Sequence, residues 1–327
     1  MGRLCQYARG SSWVEVQGVV RDDTRVSELV GIGELGRRSG VSVRTIRFYC
    51  DEGIVEAARS AGGHRMFEGD AAVERLMLVR RLRALGLGLG AIGEVLRGER
   101  SLEEAIAIER ARLDGEFREL AWRRASVRAV QVAAPGERGA RLALLAAAQD
   151  GGAVYEGLVR FWRQVLAPVG RREVDGWVGW NVPEPPGDPS ADEVVAYAEL
   201  AALVEDPEMN GVVRQQLLRS RPESIRDVGA LYVEVGDVMT EVVPLVSAGV
   251  RPRGGGELDR FVDAHARARG ETDSPGFRER MLVDATDTDH RIHRYWALTQ
   301  RFLGTRITVG RAHDWVYSAL ARDAYGT

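Results

Sequence analysis

The stretch "GIGELGRRSGVSVRTIRFYCDEG", residues 31 to 53, constrains this chain more than any other part of it. Ile32 and Leu35 give a short helical pattern that stops at Gly40, and Val41 and Ser42 follow at once. Ser42 can cap a second helix by accepting from a free backbone N–H, and Gly53 can take the left-handed conformation that closes it. Between those caps Val43 and Ile46 share one face, while Arg44, Arg47 and Asp51 share another. The pattern is helix, tight turn, helix.

A helix with a short apolar stripe towards its partner and Arg at i and i+3 on its outer face suits insertion into a major groove, where guanidinium groups reach phosphates or guanine edges. Tyr49 adds a hydroxyl for a phosphate oxygen. For a helix taken alone, a solvated Arg face over core aromatics is the plainer account. The following residues change that balance. In "AARSAGGHRMFEG", residues 57 to 69, Gly62 and Gly63 can supply the positive φ angles of a hairpin turn between short strands, and this wing carries Arg59, His64 and Arg65 towards the backbone beside the groove. A helix with Val73, Leu76, Met77, Val79 and Leu82 on its apolar positions comes next and stops at Gly86. A further helix runs through Ile92, Val95 and Leu96.

Charge is distributed to match. The chain of 327 residues has a formal net charge of −3 and no Lys. Residues 31 to 100 hold 12 Arg against 9 acids, about +3, whereas residues 137 to 327 hold 23 Arg against 29 acids, about −6. Nucleic-acid affinity therefore has to be local to the first region. Two cysteines, Cys5 and Cys50, give neither a disulfide framework nor a thiolate metal motif, and a reducing cytoplasm fits them best. Cys50 lies four residues after Ile46, which favours simple packing over a redox role. No export signal, membrane span or membrane partner is expected. "GLGLG", residues 86 to 90, follows a helix rather than a strand, so it does not read as a dinucleotide loop.

Residues 101 to 131 contain no Pro, and Ile106, Leu113, Leu120 and Val127 stand seven apart with Phe117 beside the seam. That recurrence is the pattern of a coiled coil. The same helix can instead pack on its own C-terminal region.

"IGELGRRSGVSVRTIRFY", "GGHRMF" and "RRLRALGLGLGAIGEVL", in this order over about residues 31 to 97, resemble the MerR family of bacterial transcription regulators. The resemblance implies that Arg44, Thr45, Arg47 and Tyr49 on the recognition helix, with Ser42 at its cap, face DNA together with His64 and Arg65 in the wing. It implies that the helix over 101–132 is an antiparallel dimerisation helix. It also implies a homodimer that bends and untwists double-stranded promoter DNA, bringing poorly spaced elements into register for RNA polymerase.

"AAPGERG", residues 133 to 139, breaks the helical pattern, and residues 137 to 327 are helical almost throughout, with no alternation of a sheet. So long a helical region exceeds what dimerisation needs and is expected to sense something. Tyr155, Trp162, Trp177, Trp180, Tyr295 and Trp296 are the candidates for lining an effector pocket, alongside Phe161 and Trp315, although such rings also build ordinary cores. In "DATDTDHRIHRYW", residues 284 to 296, His290 and His293 with Asp284, Asp287 and Asp289 raise a metal site. The plainer account is that the acids cap a helix and the imidazoles are solvated. Since no Cys lies in this region, a small organic effector is favoured over a soft metal ion, and no cofactor is expected.

The expected protein is mainly α: an N-terminal extension over 1–30, a winged helix-turn-helix over 31–100, a coiled-coil dimerisation helix over 101–132, and an all-α effector domain over 137–327. A DNA-binding domain fused to an enzyme acting on its ligand, and an effector-independent architectural DNA-bending protein, are the two alternatives to a non-enzymatic regulator.

Overall fold

The computed structural model describes residues 28–60, 63–283 and 285–325, and it divides into two compact units at Leu113 and Asp114. The expectations that fall on Cys5, Gly62, Asp284 and residues 1–27 lie outside the described residues. The protein is mainly α, with fifteen helices and one three-stranded sheet among the described residues.

The first unit opens with β1 (Leu29–Gly31), α1 (Ile32–Ser39) and α2 (Val43–Asp51). Gly40 stands between the helices at φ +64°, a conformation that carries no steric cost without a Cβ. The hairpin is β2 (Ala58–Arg59) and β3 (Arg65–Glu68), followed by α3 (Gly69–Ala84) and α4 (Leu89–Leu96). β3 is the central strand, antiparallel to both neighbours, with Val30 opposite Phe67 and Arg59 opposite Arg65. Leu35, Ile46, Phe67, Leu76 and Ile92 meet in the core.

β1 shortens the extension expected over residues 1–30. Leu29 and Val30 belong to the sheet, and Val30 is buried. A strand of three residues with one buried side chain is too short to display a period of two, and its pairing comes from β3, more than thirty residues further along.

α5 (Leu102–Val132) runs from the first unit into the second. The helices after it are α6 (Arg138–Ala147), α7 (Gly151–Val165), α8 (Arg171–Asn181), α9 (Ala191–Glu205), α10 (Met209–Leu218), α11 (Val228–Ser247), α12 (Gly256–Arg269), α13 (Pro275–Leu282), α14 (His290–Leu303) and α15 (Val309–Tyr325). α9 packs against α6, α7, α10 and α14, and α11 packs against α12 and α15. α9 is apolar nearly all round, with Val194 through Ala198 and Leu200 buried, as a helix surrounded by others must be. Its start is fixed by a capping box: Ser190 accepts from the Glu193 N–H, and the Glu193 carboxylate accepts from the Ser190 N–H.

In the second unit, one face of α5 is core. Trp122, Ala125 and Ala129 are buried among the helices that follow, and the Trp122 Nε1–H donates to the Ala148 carbonyl at 3.0 Å. The heptad residues lie on a different face. Ile106, Leu113, Phe117, Leu120 and Val127 are all exposed, from 41% at Ile106 to 66% at Val127. The packing of α5 on the C-terminal region thus occupies one face and leaves the heptad residues uncovered.

Candidate nucleic-acid interface and the cavity of the helical unit

α2 begins where the Ser42 Oγ accepts from the Thr45 N–H at 3.1 Å, and the two hydroxyls lie 2.7 Å apart. Both residues expected at the DNA face therefore already serve the cap. Ile46 turns fully inward, while Arg44 and Arg47 stand out in solvent. Neither has a carboxylate partner among the described residues, nor does Arg59 in the wing. Phe48 lies on the same outer face as Arg44, one turn on, and is half exposed. Its role at the surface was readable from the i+4 spacing, which places it with Arg44 rather than with Ile46. Tyr49 goes the other way. It is 9% exposed and packs with Ile54 and Val55, so its ring belongs chiefly to the core.

The wing is closed by the Ser60 N–H donating to the His64 carbonyl at 2.9 Å, with Gly63 at φ +78°. Arg65 reaches back from β3 to Asp51 at the end of α2, 2.8 Å away. This ion pair ties the base of the wing to the last turn of the helix. It leaves Arg59 and His64 outward, so the strand pair presents one bound guanidinium and one without a carboxylate partner among the described residues. Cys50 is half-buried, and burial pushes its thiol up, away from the thiolate that redox or metal chemistry needs.

In the helical unit the expected aromatic residues separate into two groups. Trp177 and Trp180 line a cavity formed by α8, α11 and the start of α15. Trp162, Tyr295 and Trp296 do not line it and form a buried cluster instead. The Trp162 Nε1–H donates to the Tyr295 hydroxyl at 2.6 Å, and the Trp162 ring packs against Trp177 with centroids 4.2 Å apart and planes tilted by 44°. With the indole N–H satisfied by the hydroxyl oxygen, these rings bury as core, and Trp162 supports the cavity wall from behind Trp177. Tyr155 is partly buried against the core and lies off the cavity.

The acids over 284–293 also separate. Asp289 caps α14 by accepting from the Arg291 N–H at 2.8 Å, and His290 and His293 are exposed. Asp287, expected with that surface set, is buried with a bidentate partner, the Arg219 guanidinium, and accepts from Gln216 at 3.2 Å. Arg219 and Arg221 have positive φ, at 63° and 53°, a strained conformation for residues with a Cβ. Arg269 holds this segment by donating to the carbonyls of Leu218 and Ser220. No group of three or more His, Cys, Asp or Glu that could hold a metal ion occurs among the described residues.

A capped helix with free guanidinium groups, set beside a glycine-tipped wing, defines a winged helix-turn-helix, the class whose second helix enters a major groove. Residues 31–99 match the MerR HTH family of regulatory proteins. Over 72 residues the chain is 42% identical to the nodulation protein NolA of Bradyrhizobium elkanii, covering 22% of this chain and 32% of that one. It is 31% identical over 91 residues to a SoxR-homologue transcriptional activator of Chromobacterium violaceum, covering 28% of this chain and 61% of that one. The mercuric resistance operon regulatory protein of Bacillus cereus is 38% identical over 66 residues, covering 20% and 49%. The matched part spans about a third of the length of the NolA relatives. No solved structure matches the chain.

Proposed function

We propose that this chain is a DNA-binding transcription regulator of the MerR type. It acts as a homodimer on double-stranded promoter DNA, distorts that DNA for RNA polymerase, and responds to a small organic effector held by the helical unit. The observation that carries the reading is the pair Arg44 and Arg47, exposed and without carboxylate partners among the described residues, on α2 of a domain that matches the MerR HTH family. In a chain of net charge −3, leaving such charges unneutralised on one helix favours a polyanion as partner. Ser42, Thr45, Arg59 and His64 flank that pair, and Arg65 positions the wing while remaining part exposed.

The dimer reading is supported by the exposed stripe on α5, since a seven-residue apolar seam facing water is what a second helix covers. Bending and untwisting DNA has a sequence-dependent energetic cost, which phosphate contacts offset. An effector acts by binding two dimer geometries with different affinity. The enzymatic alternative drew on the acids and imidazoles over 284–293, and Asp287 and Asp289 are engaged there with Arg219 and Arg291.

Selection of genomic fragments by the purified chain tests the reading. The expected result is enrichment of a few promoter-containing fragments with two-fold related half-sites. Binding that follows salt concentration alone, with no fragment preferred over random duplex, would overturn it.

A further inference from the structure

The cavity of the helical unit joins an apolar wall to buried polar atoms that have no hydrogen-bond partner among the described residues. It holds about 470 Å³, within the range of small-molecule sites. Val174, Trp177, Leu217, Val235 and Met239 are among its apolar lining residues. Among the described residues no arginine lines it. Its charged side chains are Glu173 and Asp237, both exposed.

Two further lining residues, Tyr232 and His313, are 8% and 5% exposed, and the Tyr232 Oη and His313 Nδ1 have no hydrogen-bond partner among the described residues. Asn181, also on the wall, is already engaged. Its side-chain amide donates to the Trp177 carbonyl at 3.0 Å, and its oxygen accepts from the Val309 N–H at 3.3 Å. Burial, aided by the nearby Arg219 charge, pushes His313 down to about 4, so at neutral pH its ring is an uncharged hydrogen-bonding group.

We infer that this cavity binds an aromatic small molecule that is neutral or cationic, its ring against Trp177 and Trp180 and a hydrogen-bonding group turned towards Tyr232 and His313. Apolar burial supplies the driving force. A buried polar atom left unsatisfied is costly, so a ligand that satisfies one is favoured over a plain hydrocarbon. The two carboxylates repel an anion and attract a cation, which the indole faces also stabilise. The inference deepens the effector reading and rests on it for any consequence at DNA, but not for binding itself.

Calorimetric titration of the full chain with 2-naphthol, protonated 2-naphthylmethylamine and 2-naphthoate tests it. The phenol and the ammonium should bind at least about tenfold more tightly than the carboxylate. Gly236 lines the cavity on α11, and a Cβ there meets nothing within 4 Å. Gly236→Phe should therefore block the cavity and weaken both ligands about tenfold or more, while the loss of a helix-interior glycine leaves thermal stability no lower. Tyr232→Phe, which removes only the hydroxyl, should weaken 2-naphthol severalfold. Absence of binding by all three probes, preference for the carboxylate, or unchanged affinity in Gly236→Phe would overturn the inference. Gel shifts on the same samples separate the two readings. Probe binding without change in DNA affinity keeps the cavity site and removes its effector role. Intact DNA binding with no probe bound removes the cavity site alone.

Discussion

Arg44 and Arg47 derive their importance from what surrounds them. Most other arginines in the first unit are engaged: Arg38 with Asp70, Arg65 with Asp51, Arg75 with the Ile54 carbonyl. Truncating Arg44 or Arg47 to Ala is expected to weaken operator binding by about 1 to 3 kcal/mol if the side chain reads a base edge, and to relax specificity at one position. A phosphate contact would instead weaken all sequences alike and reduce the salt slope by about one. Fluorescence anisotropy over a salt series distinguishes these outcomes. Asp287 gives the opposite kind of prediction, since it neutralises a guanidinium with no access to water. Asp287→Ala should destabilise the helical unit by about 3 to 5 kcal/mol in denaturant titration, because it strands a buried cation.

Among the elements, α5 carries one buried and one exposed apolar face. Leu120 is 63% exposed, while Trp122 is buried in the second unit. Leu120→Asp should leave the fold intact and dissociate the dimer, seen as a halved mass by sedimentation equilibrium; an unchanged mass would sink the dimer reading. Gly310 on α15 makes a second test, of packing. A Cβ there would overlap the Trp296 ring at about 2 Å. Gly310→Ala is accordingly expected to lower the thermal midpoint despite the better helix propensity of Ala. The elements were unevenly legible. The α1–α2 turn, the caps of α2 and the length of α5 could be read from local residues, since Gly40, Ser42 and the absence of Pro act within a few positions. β1 and the buried face of α5 could not, because both depend on partners distant in sequence.

For the whole molecule, stability should depend on pH through two buried imidazoles. His313 is pushed down to about 4, and His265 well below its ordinary 6.5, by burial and by neighbouring arginines. Both are depressed, so between about 6.5 and 4 the unfolded chain takes up protons that the native chain refuses. Their contribution is complete above the unfolded pKa and is lost as pH falls through that window, by up to about 1.4 kcal/mol per pH unit for each ring. For His313 the loss levels off near 4, where the native ring also protonates. Thermal melts at pH 7.5 and 5 should show the drop, and His313→Gln should reduce it; equal drops in both proteins would contradict this.

By itself the sequence determined the winged helix-turn-helix, the long helix after it and the helical character of the rest, because caps, glycine turns and apolar spacing act over one or two helical turns. It also concentrated the positive charge on one short region. The tertiary structure decided which aromatics border a cavity, which become core, and where Asp287 goes. Those outcomes depend on residues far apart in the chain, such as Trp162 with Tyr295, 133 positions away, and Arg219 with Asp287, 68 positions away. No local pattern encodes such pairings, since only packing sets which side chains lose their water together.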